Sequence, residues 1–398
     1  MQSGPSLRRV RLPPGNRLFW IVVALAVSFF VTPIFGDDVG RDNSQDEAAI
    51  ETRLKQTVEY LASDELQGRG PGTEGIDKAA DYIAKRMDKI GLKTDLFQGS
   101  PYQSFYVRPA NNEEEGVLAH LNVFSYYGDT IYTLFVKFGE SSPQKESPES
   151  PVRRAEGTVK LKNVVAMLEG RGPLAEETIV LGAHYDHLGE RKIADGYTIV
   201  YHGANDNASG VAVMLETADI LAHRQQKLPR RIVFVAFSGE ELGLLGSFHY
   251  VNHPAVPLDK TIAMINLDMV GRMENDTLTS MGASTSSMLA KTLDKIVKRH
   301  DLKLDEMSWI YPVSDHTGFY VHRIPAVFLM TWSGWDDYHQ PTDTANTLNY
   351  SGMRKVAQIE ADLVVELAEA DRRPEFAEEN IIGILYRNML RMWSWMSN

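Results

Sequence analysis

"RIVFVAFSGEELG", residues 231–243, passes from an apolar run straight into two adjacent glutamates, Glu240 and Glu241. A run of this length, rich in β-branched and aromatic residues, reads as a strand buried on both faces, with the carboxylates standing where it stops. The pattern recurs on either side: "NVVAMLE" (163–169), "TIVLGA" (178–183), "TIAMINLD" (261–268) and "AVFLM" (326–330). Between these runs "ASGVAVMLETADILAH" (208–223), "ELGLLGSFHYVNH" (241–253) and "TSSMLAKTLDKIVKRH" (285–300) carry apolar residues at helical spacing, as does "YSGMRKVAQIEADLVVELAEA" (350–370) after the last run. Such alternation predicts an α/β fold, a mostly parallel central sheet with helices on both faces.

Upstream, Ile50, Leu54, Val58 and Leu61 mark one amphipathic helix; Ile76, Ala80, Ile83 and Met87 mark another, with Thr73 as its N-cap and Gly91 as its stop. Residues 117–138 hold two β-rich runs, and 139–157, rich in Ser, Pro and charge, read as a loop. At the N-terminus, Arg8, Arg9, Arg11 and Arg17 precede the apolar "LFWIVVALAVSFFV" (18–31), the arrangement of an export signal or, if retained, a membrane anchor. The expected organisation is therefore a signal peptide or signal anchor over 1–36, a linker over 37–49, one body over 50–372 and an apolar, aromatic tail over 373–398 that docks on the body as a helix. The chain is expected outside the cytoplasm, secreted, periplasmic or membrane-anchored, touching a membrane only through its N-terminal segment.

The 398 residues are 43% hydrophobic, as in a globular protein, and the net charge of −12 disfavours nucleic acid as a partner. There is no cysteine, which excludes disulfides, a thiolate metal site and a cysteine nucleophile. Any metal must be held by histidines and carboxylates.

In open α/β sheets ligands gather at the carboxyl ends of strands. The polar residues that follow the predicted strands are His184 and Asp186 in "HYDHLG", Glu240 and Glu241 in "SGEELG", Asp268 after "TIAMINL", and His339 in "DDYHQPTDT"; Asp206, in "GANDNASG", opens a helix. Singly, each has an ordinary reading: Asp206 or Asn207 as a helix N-cap, His184 as a hydrogen-bonded structural histidine, the glutamates as complements to a helix dipole. Together they crowd carboxylates at one sheet edge, which is costly without a cation. Two divalent ions about 3.5–4 Å apart can share one carboxylate, each completed by one His and one further carboxylate. That uses five ligands and leaves one glutamate over. Adjacent residues leaving a strand point in different directions, so Glu241 can bind metal while Glu240 serves as general base. Asp186, two residues after His184, is placed to accept the other imidazole N–H.

"HYDHLG", "GANDNASG", "FSGEELGLLGS", "INLDMVGR" and "YHQPTDT", in this order and approximate spacing, together with the leading "YLASDELQGRGPGTEG", resemble the co-catalytic di-zinc aminopeptidases of metallopeptidase clan MH. The group also holds glutamate carboxypeptidase II, the inactive transferrin receptor and glutaminyl cyclase. The resemblance spans about residues 50–370. It implies one zinc on His184, Asp206 and Asp268 and a second on Asp206, Glu241 and His339, with Asp206 bridging and Glu240 as base. Manganese or cobalt can substitute at such ligands. Tyr338 resembles a tyrosine that stabilises the oxyanion in some relatives, and Asp315 and His316 of "SDHTGF" either shape the rim of the site or hydrogen-bond within their loop. Trp332 and Trp335 lie close enough in sequence to His339 to line a pocket, or to be core aromatics.

The expected function is that of an exported zinc exopeptidase acting on peptide or protein N-termini. The alternatives are a single-zinc glutaminyl cyclase and a non-catalytic binding ectodomain on the same fold.

Overall fold

The computed structural model describes residues 43–107, 158–193, 196–224, 226–307, 309–332, 334, 336–377 and 381–396. The expected signal segment, the two β-rich runs at 117–138, the loop at 139–157 and Trp335 lie outside the described residues. Helices and strands are numbered in chain order.

Two helices lead. α1 (Asn43–Leu61) begins inside residues 37–49, the stretch expected to be a linker. Its first turns are polar and carry no apolar period, but Glu47 and Glu51 pair with Arg354 at 3.2 and 3.0 Å, a tertiary contact invisible to periodicity. α2 (Glu74–Ile90) runs between its two sequence signals. Thr73 accepts a hydrogen bond from the Ile76 amide, and Gly91, in the left-handed region at φ 89°, ends the helix.

The strands are β1 (Tyr102–Val107), β2 (Val159–Leu168), β3 (Thr178–His184), the small hairpin β4 (Glu190–Lys192) and β5 (Thr198–Val200), β6 (Arg231–Phe237), β7 (Thr261–Leu267), β8 (Thr277–Met281), β9 (Lys303–Met307) and β10 (Ala326–Met330). Eight of them form one sheet in the order β1-β2-β6-β3-β7-β10-β8-β9. The central strands β6, β3, β7 and β10 are parallel, as the buried apolar runs predict; β1 and β2 add antiparallel at one side, and β8 is antiparallel to β10 at the other. The edge strands β1 and β9 have no continuous apolar run, which is why the sequence leaves them unmarked.

Helices cover both faces. Ile179 and Leu181 of β3, with Ile232 and Phe234 of β6, face α1, α2, α3 (Gly210–Ala222), α5 (Ser287–Arg299) and α7 (Tyr350–Glu369). Val180, Val233 and Val235 point the other way, onto Tyr250 and Val251 of α4 (Leu245–Asn252) and Phe319 of α6 (His316–Tyr320). The tail forms α8 (Ile381–Met396), whose Leu390 is buried with Leu244, Phe248, Tyr320 and Val321, so the helix expected there is present and packed. Among the described residues no helix is long and apolar enough to cross a membrane.

Candidate metal centre

Strand order brings the chemistry together. β3 lies between β6 and β7, so the residues leaving three adjacent parallel strands share one edge: His184 closes β3, Glu240 and Glu241 follow β6, and Asp268 follows β7. The turn at 204–209 before α3 adds Asp206, and the loop after β10 adds His339.

Asp206 lies between the two histidines. Asp206 turns Oδ1 toward His184 Nε2 at 3.3 Å and Oδ2 toward His339 Nε2 at 3.1 Å. His184 Nε2 also lies 3.2 Å from Asp268 Oδ1, and His339 Nε2 lies 3.2 Å from Glu241 Oε2. Donors bound about 2.0 Å from a tetrahedral zinc are separated by roughly 3.3 Å, so the histidine–carboxylate distances of both triplets match edges of such a shell; His187 also lies within reach of Asp206 and Glu241. Glu240 Oε2 sits further out, 3.9 Å from His184 Nε2.

The buried charges suit a cation. Burial pushes the Glu240 carboxyl well above its usual range; His184 opposes this, and Glu241, Asp268 and Asp315 reinforce it. At Asp206, burial is outweighed by the imidazoles of His184 and His339, which hold the carboxyl well below the usual range. Burial of Glu241 is likewise overcome, by His339 and His187, which hold it at about 2. In turn, burial disfavours charge on His339, yet Glu241 and Asp206 raise it to about 11. With protein charges alone, protons are drawn onto buried imidazoles to balance buried carboxylates. Neutral His nitrogens and ionised carboxylates are the donor set for zinc, and the residues present fit that ion.

Surrounding hydrogen bonds fix the ligands. Asn207 donates to the Leu267 carbonyl at 2.9 Å and accepts from the Met269 amide at 3.3 Å, tying the turn that carries Asp206 to the end of β7. Asp343 accepts from the Asn205 and Asp206 amides at 3.0 Å. The peptide bond between Asp206 and Asn207 is cis. Ser314 Oγ donates to Asp268 Oδ2 at 2.8 Å, leaving Oδ1 for His184.

Two expectations need correction. Asp186 does not hold His184 through its carboxylate: the ring Nδ1 lies 3.2 Å from the Asp186 carbonyl and 3.8 Å from Oδ1. The carboxylate instead accepts the backbone amides of Glu240 and Glu241 at 3.2 and 3.3 Å. The chain turns after β3, so the carbonyl folds back on the ring and the side chain reaches the neighbouring loop. His316 is not at the rim: it is fully buried, with Nε2 2.9 Å from the Tyr311 carbonyl and its ring stacked on Phe328, which is the loop-bonding alternative. Asp315 is buried as well, burial raising its carboxyl to about 7.

Tyr338 stacks on His339 with ring centroids 3.8 Å apart. Burial and the nearby carboxylates raise its phenol well above the usual value, so it stays an O–H donor. Trp332 is 43% exposed and lines a small cavity with Tyr338, Met269 and Arg272, outside the core.

Sequence reasoning missed Arg69, Asn205, Asn207, Asp343 and His187 as parts of this centre. His187 had a signal, being the second histidine of "HYDHLG".

Peptidase family M28 matches residues 163–364, a stretch that contains every residue of both triplets. The chain belongs to peptidase family M28. It is 26% identical over 336 residues to aminopeptidase YwaD of Bacillus subtilis, covering 76% of this chain and 67% of that one. Among solved structures, a zinc aminopeptidase from Bacillus subtilis superposes with a TM-score of 0.57 at 20% identity, covering 83% of this chain and 98% of that one. A glutaminyl cyclase from Bacteroides thetaiotaomicron superposes with a TM-score of 0.54 at 18% identity, covering 80% of this chain and 97% of that one. Both share the fold, so the fold by itself does not choose the reaction of this M28 chain.

Proposed function

We propose that this M28 chain is a two-zinc aminopeptidase that works outside the cytoplasm. The observation that carries the reading is the bridging carboxylate of Asp206, one oxygen toward each histidine. His184, Asp206 and Asp268 would hold one ion and His339, Asp206 and Glu241 the other. Bound there, zinc supplies Lewis acidity, acidifying water and polarising a peptide carbonyl.

The chain's own residues do the rest. Glu240, its amide tied to Asp186 and its side chain 12% exposed beside His184, is positioned to take a proton from the attacking water. Its raised affinity for protons lets it hold that proton and pass it to the departing amine. The neutral Tyr338 phenol donates toward the oxygen on which negative charge develops. Export is supported by the arginine-flanked apolar segment 18–31. Aminopeptidase action is supported by the likeness to YwaD.

Two measurements on the full chain test this. Zinc counted by elemental mass spectrometry is expected at two per chain. Unblocked peptides are expected to lose single N-terminal residues, and N-acetylation to abolish the loss. One zinc per chain with loss of ammonia from N-terminal glutamine would make it a cyclase; trimming from the C-terminus would make it a carboxypeptidase; two bound zincs with no cleavage would make it a binding protein.

A further inference from the structure

Each of the two outer carboxylates has one oxygen toward a histidine ligand and must keep the other occupied. For Asp268 the spare oxygen is taken by Ser314 Oγ at 2.8 Å. For Glu241 it is taken by His187: Nδ1 lies 2.8 Å from Oε1, while Oε2 faces His339 at 3.2 Å. His187 is fully buried, and among the described residues only Nδ1 finds a hydrogen-bond partner, Nε2 having none.

The tautomer follows from this pairing. A carboxylate oxygen accepts hydrogen bonds, so in the 2.8 Å contact with Glu241 Oε1 it is Nδ1 that donates. Nε2 takes no part in this bond. The opposite tautomer would set two acceptors against each other at 2.8 Å and bury an orphaned N–H. A nitrogen that carries a proton has no lone pair for a metal, and His187 Nδ1 lies 3.9 Å from Asp206 Oδ2, against 3.1 Å for His339.

The seat of the ring is shaped for it. Gly203, at φ 57°, lets the backbone pass so close that a Cβ there would stand 2.6 Å from His187 Cγ and Cδ2. The ring also meets His339 edge-on, centroids 5.7 Å apart.

We infer that His187 is a positioning residue for the second metal site: its Nδ1–H locks Glu241 Oε1, so the glutamate offers the ion Oε2 alone and the opposite side stays open for water and substrate. This rests on the two-zinc reading above. Losing such a partner typically costs about 10–100-fold in metal affinity.

The test uses the full chain with its zinc, dialysed against graded chelator, with zinc per chain counted at each step. Wild type is expected to release zinc in two steps. In His187→Ala one step moves to about 10–100-fold weaker chelation and the other stays. His187→Asn places an amide N–H where Nδ1–H was and restores most of the retention; His187→Gln places its donor where Nε2 was and does not. Unchanged retention in His187→Ala overturns the inference. So does a His187→Asn protein as leaky as His187→Ala, which would make His187 a ligand itself. If His187→Ala does not fold, equal retention by the Asn and Gln variants overturns it. A wild type that holds a single zinc refutes the two-ion reading instead, and the variants are then judged on that one step in the same way.

Discussion

At the scale of single residues, adjacent Glu240 and Glu241 have opposite electrostatic fates. Both amides are tied to Asp186, which fixes the backbone between them. From that anchor Glu241, despite its burial, is held at about 2 by His339 and His187, while burial among other carboxylates raises Glu240. One is thereby suited to stay ionised and ligate, the other to carry a proton. Glu240→Gln keeps shape and volume but cannot accept the proton. Its kcat is expected to fall by about 10²–10⁴-fold with KM near wild type. Zinc per chain, measured on the same preparation, should stay unchanged. Turnover near wild type would remove Glu240 from the role.

At the scale of elements, the ligands hold their places because loops from distant parts of the chain are stitched to each other. Arg69, fully buried, is the main stitch. Its guanidinium donates to the carbonyls of Tyr185 and Gly203 at 2.8 Å and His202 at 2.7 Å, and to that of Leu61. It therefore ties the end of α1, the turn after His184 and the approach to Asp206 into one piece. Burial lowers its basicity to about 10, with Asp206 and Asp343 opposing, so it remains charged at neutral pH. Lysine keeps the charge but brings one nitrogen where the guanidinium brings a planar fork. Arg69→Lys strands buried carbonyls and is expected to cost roughly 2–4 kcal/mol in urea unfolding. A loss under about 0.5 kcal/mol, the range of a surface substitution, would mean the hub is dispensable.

At the scale of the whole molecule, stability should carry a pH signature from a carboxyl that is not part of the candidate metal centre. Glu360 on α7 is fully buried, with Oε2 2.7 Å from Thr217 Oγ1 and, among the described residues, Oε1 without a hydrogen-bond partner. Burial raises it from 4.5 to about 8, against the Thr217 hydrogen bond. The folded state binds this proton more tightly than the unfolded one, so the stabilisation is complete below about pH 4.5 and is lost as pH rises through about 8. In Glu360→Gln that dependence disappears. The unfolding free energy of wild type relative to this variant should fall by a few kcal/mol between pH 5 and 8, on the order of 1.4 kcal/mol for each step of one in pH; a constant difference would show that the group does not titrate on unfolding. The same physical logic divides what could be read from the chain alone. Buried parallel strands write themselves as apolar runs, and capped helices as Thr73 and Gly91, so the central strands, α2 and the edge that gathers His184, Glu240, Glu241 and Asp268 were legible in the sequence. Edge strands β1 and β9, half in solvent, leave no such run, and the first turns of α1 are held by Arg354 from the far end of the chain. Which oxygen of Asp206 meets which histidine, what Asp186 grips, and that His187 reaches Glu241 were decided by the tertiary structure alone. Those are relations of direction and distance between segments that meet only after folding, and a linear pattern carries residue type and spacing but not aim.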